Sequence, residues 1–105
     1  MTRGEIYRIR LPAQRGREHS GPRYAVIVQA EQLLGLSTVI VAPTSRSAAA
    51  ATFRPEIQLD SVTTRVLVEQ LRAVDAERLD DLAGRLSGPE QRTVDAALEL
   101  ILDLG

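Results

Sequence analysis

The chain contains no cysteine, no tryptophan and no lysine, and only one histidine, two tyrosines and one phenylalanine. Without cysteine there are no disulfides and no thiolate catalysis, and with a single histidine the usual zinc sites are excluded as well. Any metal would have to be held by carboxylates alone, so neither a metal nor an organic cofactor is expected. No apolar run approaches the roughly 20 residues that a membrane-spanning helix needs. The opening Met1-Thr2-Arg3-Gly4-Glu5 lacks the apolar segment of a signal peptide, and the expectation is a cytoplasmic protein. Internal repeats and low-complexity linkers are absent too.

What is present fits one globular domain spanning residues 1–105, with 44% hydrophobic and 26% charged residues. All thirteen basic residues are arginine, which reflects either selection for guanidinium or a GC-rich genome. The net charge of −1 conceals a division along the chain. Residues 1–54 hold eight arginines against three acids, or +5, while residues 55–105 hold five arginines against eleven acids, or −6. Such asymmetry suggests a face for a polyanion, set against a solvated or partner-binding acidic face.

Taken in order, Gly4–Leu11 alternates Ile9 and Leu11 with Arg8 and Arg10, the pattern of a half-buried strand ended by Pro12. Residues 13–22 have no apolar periodicity and contain Gly16 and Gly21, so they form a loop of about ten residues, a length that tends to carry function. Tyr24–Gln29 is a buried strand, Ala30–Leu36 one or two helical turns closed by Gly35, and Ser37–Ala42 a third strand stopped by Pro43. Phe53–Leu59 supplies a fourth strand and Arg65–Leu71 a fifth, with Ser61–Thr64 as the turn between them. Asp75 has the form of an N-cap for a short helix Ala76–Ala83 ended by Gly84. Ser87-Gly88-Pro89-Glu90 has capping-box spacing, and it opens a last helix whose apolar face is Val94, Ala97, Leu98, Ile101 and Leu102. Five largely consecutive strands with helices gathered toward the C-terminus predict an α+β protein with a small, curled, antiparallel barrel-like core.

Two arginines, a carboxylate and the only histidine fall within the seven residues Arg17–Arg23, chemistry that suits a phosphate-containing ligand. Several segments then resemble one family in order and at family spacing. They are Arg3-Gly4-Glu5-Ile6-Tyr7, the Gly-x-Glu-x-x-Gly-x-Arg pattern of Gly16–Arg23, Val41-Ala42-Pro43 followed by hydroxyls, and Glu69-Gln70-Leu71-Arg72-Ala73-Val74-Asp75 with Arg78-Leu79. These are similar to the MazF/PemK toxins of bacterial type II toxin–antitoxin pairs. The resemblance implies a homodimeric SH3-like barrel of the CcdB/PemK type, a sequence-specific, metal-independent endoribonuclease acting on single-stranded or looped RNA, and an antitoxin that covers the RNA groove.

By that resemblance Arg23 matches the catalytic arginine, and the catalytic hydroxyl falls on Ser45 or Thr44, with Ser45 favoured by counting back from the fourth strand. Glu18 matches a loop glutamate near the site, either as a proton-transfer group or as an ion-pair partner of Arg17 or Arg23. Arg15, Arg17, Arg46 and Arg54 are phosphate-contact candidates, and Gln70 either contacts RNA or braces the site. Two departures stand out. Tyr24 replaces the family's proline and offers either a ring that stacks on a base or a barrel-edge filler, and His19 replaces a non-titrating residue. The rival reading is the CcdB-like gyrase-poisoning toxin, which shares the fold and performs no catalysis. Such toxins end near a tryptophan, which this chain lacks. A non-catalytic RNA-binding barrel is the third reading.

Overall fold

A computed structural model describes residues 1–10 and 23–105. Among them it shows seven strands, three short 3-10 turns and one α-helix. The expected loop 13–22, with Arg15, Arg17, Glu18 and His19, lies outside the described residues, as do the ends of the expected first strand at Leu11 and Pro12.

The first strand, β1 (Glu5–Ile9), is launched by Gly4, whose φ of +91° is costly for any residue with a Cβ. There the backbone is clamped from both sides: Gly4 N–H donates to the Ile27 carbonyl at 2.9 Å, and its own carbonyl accepts from Leu86 N–H at 2.9 Å. β2 (Arg23–Ile27) pairs antiparallel with β1, Ile9 opposite Arg23 and Ile6 opposite Val26. The expected helical turns after β2 reduce to one 3-10 turn, Glu31–Leu33, and Gly35 takes φ +111° beyond it.

β3 (Thr38–Ser45) is the hub of the sheet. It was expected to stop at Pro43, but it runs through the proline to Ser45. The reason lies in the strand beside it. Within a strand the N–H and C=O of one residue point the same way, and the Pro43 carbonyl accepts from Leu67 N–H at 2.8 Å. The missing N–H of Pro43 therefore faces the side where the partner strand is itself interrupted, a position that removes no ladder bond. On that side β3 pairs first with β6 (Arg72–Asp75), from Thr38↔Asp75 to Val41↔Arg72, and then with β5 (Val62–Val66), through Thr44↔Val66 and Ser45↔Arg65. The 3-10 turn Val68–Gln70 fills the gap between them. On its other side β3 pairs with β2, Ala25 opposite Pro43 and Ile27 opposite Val41.

Two further expectations are corrected. The turn between the fourth and fifth strands is Asp60-Ser61, not Ser61–Thr64, because β4 (Glu56–Leu59) and β5 close on a two-residue turn in which both central residues have positive φ, +56° and +64°. That pair of left-handed residues matches the twist of a hairpin, and Asp tolerates it. The second correction concerns Ala76–Ala83, which is not helical. It is a 3-10 turn, Ala76–Arg78, followed by β7 (Leu79–Arg85), with no side-chain cap from Asp75. β7 completes the open side of β1, and this long-range pairing outweighs a helix-like spacing of leucines. Leu82 is 54% exposed on the strand. Gly84 lies inside β7, where a Cβ would stand 3.2 Å from Leu59 Cδ1.

The sheet runs β4-β5-β3-β2-β1-β7 with β6 beside β3. One face gathers Ile6, Val26, Ala42, Ile57, Leu59, Val66 and Val68 under α1 (Gly88–Leu102), whose Val94 and Ala97 are buried and whose Leu98 and Ile101 pack alongside. The expected capping box is present: Ser87 Oγ accepts from Glu90 N–H at 3.2 Å, and Ser87 N–H donates to Glu90 Oε1 at 2.8 Å. Leu102, expected on the buried stripe, is 49% exposed at the end of the helix. The opposite face of the sheet gathers Ile9, Ala25, Ile27, Val39, Val41 and Val74. No helix among the described residues is long and apolar enough to cross a membrane.

Candidate active site

The second face opens into a shallow hollow, continuous with solvent, lined by Ile9, Arg23, Tyr24, Ala25, Val41, Pro43, Thr44 and Arg72. Cross-strand pairing shows which of these present side chains to it. Paired residues share a face, so Ile9 and Arg23, Ala25 and Pro43, and Val41 and Arg72 stand together. The floor is therefore aliphatic, with a guanidinium at each rim. Arg23 is half-buried at the start of β2, directly after the segment 11–22, and Arg72 is exposed at the start of β6. Among the described residues neither forms an ion pair.

The two hydroxyls differ by strand parity. Alternation along β3 turns Thr44 toward the helix-covered core. There it is 7% exposed, its Oγ1 donates to the Tyr24 carbonyl at 3.2 Å, and its strand partner is the buried Val66. Ser45 falls on the face of Pro43 and Arg23, and continuing the β2–β3 register by two residues sets it opposite Arg23. Its Oγ accepts from Ser47 N–H at 3.2 Å. Tyr24 shares the parity of Thr44, and its ring packs against the helix-covered core.

The remaining candidates spread around this face. Arg46 is exposed just past the end of β3, and Gln70 is exposed on the 3-10 turn rather than in a strand. The Arg54 guanidinium is engaged: Nε and Nη2 both reach Glu69 Oε2, at 2.8 and 2.6 Å, and Nη1 donates to the Ala49 carbonyl at 3.2 Å. The other oxygen of that carboxylate, Glu69 Oε1, is buried without a partner among the described residues. Two residues near the site were not singled out from the sequence. One is Arg65, paired across the ladder with Ser45 and held by Glu56 Oε1 at 2.6 Å and the Arg54 carbonyl at 3.0 Å. The other is Arg72, whose only sequence signal was its place in the Glu69–Asp75 segment.

Among the described residues the perturbed titrations lie at the end of β1 away from Ile9. Burial pushes the Glu5 carboxyl up, but hydrogen bonds from Thr2 N–H and Tyr7 O–H and the charges of the N-terminus and Arg85 outweigh it and leave the group below its ordinary value of 4.5. Burial, together with the hydrogen bond to Glu5 and its charge, raises Tyr7. Arg85 Nη2 reaches Glu5 Oε2 at 2.9 Å, which makes this cluster a structural clasp between β1 and β7. Among the described residues no group of three carboxylates or histidines is placed to hold a metal ion.

The described residues form an antiparallel curl closed by one C-terminal helix, with arginines and a hydroxyl on its uncovered face. The family follows from comparison with known proteins. The model of the PemK-like, MazF-like toxins of type II toxin–antitoxin systems matches residues 2–102, and the chain belongs to that family. The endoribonuclease MazF9 of Mycobacterium tuberculosis is 34% identical over 116 residues, covering 99% of this chain and 98% of that protein. Among solved structures, MazF of Deinococcus radiodurans superposes with a TM-score of 0.79 at 19% identity, covering 98% of this chain and 96% of that one. A mycobacterial endoribonuclease in complex with its cognate antitoxin superposes with a TM-score of 0.77 at 17% identity, covering 100% and 97%.

Proposed function

We propose that this toxin is a sequence-specific, metal-independent endoribonuclease that cuts single-stranded or looped RNA by internal transfer. The observation that carries the reading is Arg23, unpaired among the described residues, at the rim of an aliphatic hollow with Ser45 on the same sheet face. In the reaction the ribose 2′-oxygen attacks the adjacent phosphorus, its proton passing to a base. The bond to the 5′-oxygen breaks, that oxygen takes up a proton, and the products are a 2′,3′-cyclic phosphate and a 5′-hydroxyl. Arg23 stabilises the charge that builds on the non-bridging oxygens, and Ser45 donates a hydrogen bond to one of them; a donor so placed contributes on the order of 100-fold or more in rate. Arginine is a poor base, with a pKa above about 12. Glu18 or His19, both in the segment that leads into β2, better suits the proton transfer.

Thr44 acts one step back. Its hydroxyl holds the Tyr24 carbonyl and so fixes β2 against β3 where Arg23 leaves the sheet. Arg15, Arg17, Arg46 and Gln70 contact RNA outside the cut. Arg54 contributes less, because Glu69 already occupies its guanidinium. The working unit is a cytoplasmic homodimer whose RNA groove a cognate antitoxin covers. The test is purified protein against a cellular RNA pool in EDTA, with fragment ends mapped for wild type and Arg23→Ala. The reading expects discrete cuts with cyclic phosphate and 5′-hydroxyl ends, lost in the variant. Folded dimer that cuts nothing overturns it.

A further inference from the structure

We propose that Arg72 is a second phosphate-binding residue of this site, holding a phosphate other than the scissile one on the same RNA strand, with the intervening nucleotides laid on the aliphatic floor. The inference rests on the ribonuclease reading and extends it to a residue that reading does not use.

The sheet geometry sets the spacing. Arg72 stands in the row of Val41 and Ile27, and Arg23 lies four residues before Ile27 on β2, two strands away from β6. Two strand spacings across and four residues along put their backbones roughly 16 Å apart. Side chains stand roughly perpendicular to a sheet, so the two arginines leave it at opposite rims of the hollow. Between them lie Ala25, Val41 and Pro43, a surface without hydrogen-bonding side chains, and Ile9 continues it on the far side of Arg23. Such a floor accepts the flat face of a base or the carbon side of a ribose. Two like charges facing one hollow repel each other when it is empty, and an anionic strand lying across it relieves that repulsion. Arg65 and Arg54, two further arginines near this site, are tied to Glu56 and Glu69, which sets Arg72 apart from them.

The experiment measures a fluorescent single-stranded RNA oligonucleotide binding to full-length wild type, Arg72→Ala and Arg72→Lys across a salt series, beside steady-state cleavage by the same preparations. The proposal expects Arg72→Ala to raise KM several-fold, with the loss falling on KM and not on kcat, and to make the log–log salt slope shallower by about 0.7, the value for one phosphate on a single strand. Arg72→Lys should recover most of the affinity, because a phosphate accepts a point charge. If wild type cleaves while the slope and KM of Arg72→Ala match it, the assignment of Arg72 fails and the ribonuclease reading stands. The assignment also fails if lysine does not rescue and the cut positions move to other bases, since Arg72 would then read a base edge. Wild type that neither binds nor cuts overturns the underlying reading instead.

Discussion

Thr44→Val and Ser45→Ala should have opposite consequences although the residues are adjacent. Thr44 is 7% exposed, and its hydroxyl donates to the Tyr24 carbonyl at 3.2 Å. Valine keeps the volume and the β-branch but deletes that bond. A buried hydrogen bond contributes about 1 kcal/mol net, and up to about 3 kcal/mol is at stake if the carbonyl is left dry. For a domain of this size, 1 kcal/mol corresponds to about 4 °C in Tm. Ser45 is half-buried, and its Oγ accepts from Ser47 N–H in an exposed turn, so alanine there should shift Tm by less than about 2 °C. On cleavage the order reverses. Ser45→Ala should lose on the order of 100-fold in kcat, and Thr44→Val should stay within a few-fold of wild type. Thermal melts and single-turnover cleavage in EDTA, run on the same preparations, decide it. A folded Thr44→Val that has lost cleavage, beside a fully active Ser45→Ala, would refute the parity reasoning.

Further outcomes follow from the fold. Because the folded Glu5 carboxyl lies below its ordinary value of 4.5, its stabilising effect is complete above about that pH and is lost as pH falls through the folded value. Glu5→Gln, which never charges, should therefore show a flatter fall in Tm between about pH 5 and pH 3 than wild type, and equal slopes would contradict the clasp. Ser87→Ala removes one half of the capping box and should cost about 1 kcal/mol, read as a lower urea midpoint at unchanged m-value. Ser61→Gly relieves a left-handed residue with φ +64° and should be neutral or stabilising by up to about 1 kcal/mol, whereas Ser61→Val should destabilise by more.

The sequence carried the strands whose apolar runs are continuous, β2 and β3, and the helix whose start is written in side-chain chemistry, Ser87 to Glu90. It misplaced elements whose conformation is set from a distance. β7 has the leucine spacing of a short helix and becomes a strand only because β1 needs a partner along its open side. β3 passes through Pro43 because the interruption lies in the strand beside it, far along the chain. The site shows the same division. Arg23 and the Thr44-Ser45 pair were candidates from local motif, but the turning of Thr44 and Ser45 to opposite faces needed the register of β2 on β3. Arg72 became a candidate only once β6 was laid beside Val41.

The most direct test of the account replaces one atom of the substrate. Two RNA oligonucleotides carrying a mapped cut site would be compared in EDTA, identical except that one has a 2′-deoxyribose at the nucleotide 5′ to the scissile bond. Internal transfer predicts complete cleavage of the first, ending in a cyclic phosphate, with the second bound equally well and left intact. Cleavage of the deoxy-substituted strand at the same bond would show that the attacking oxygen comes from elsewhere, and the mechanism assigned to this face of the barrel would be wrong.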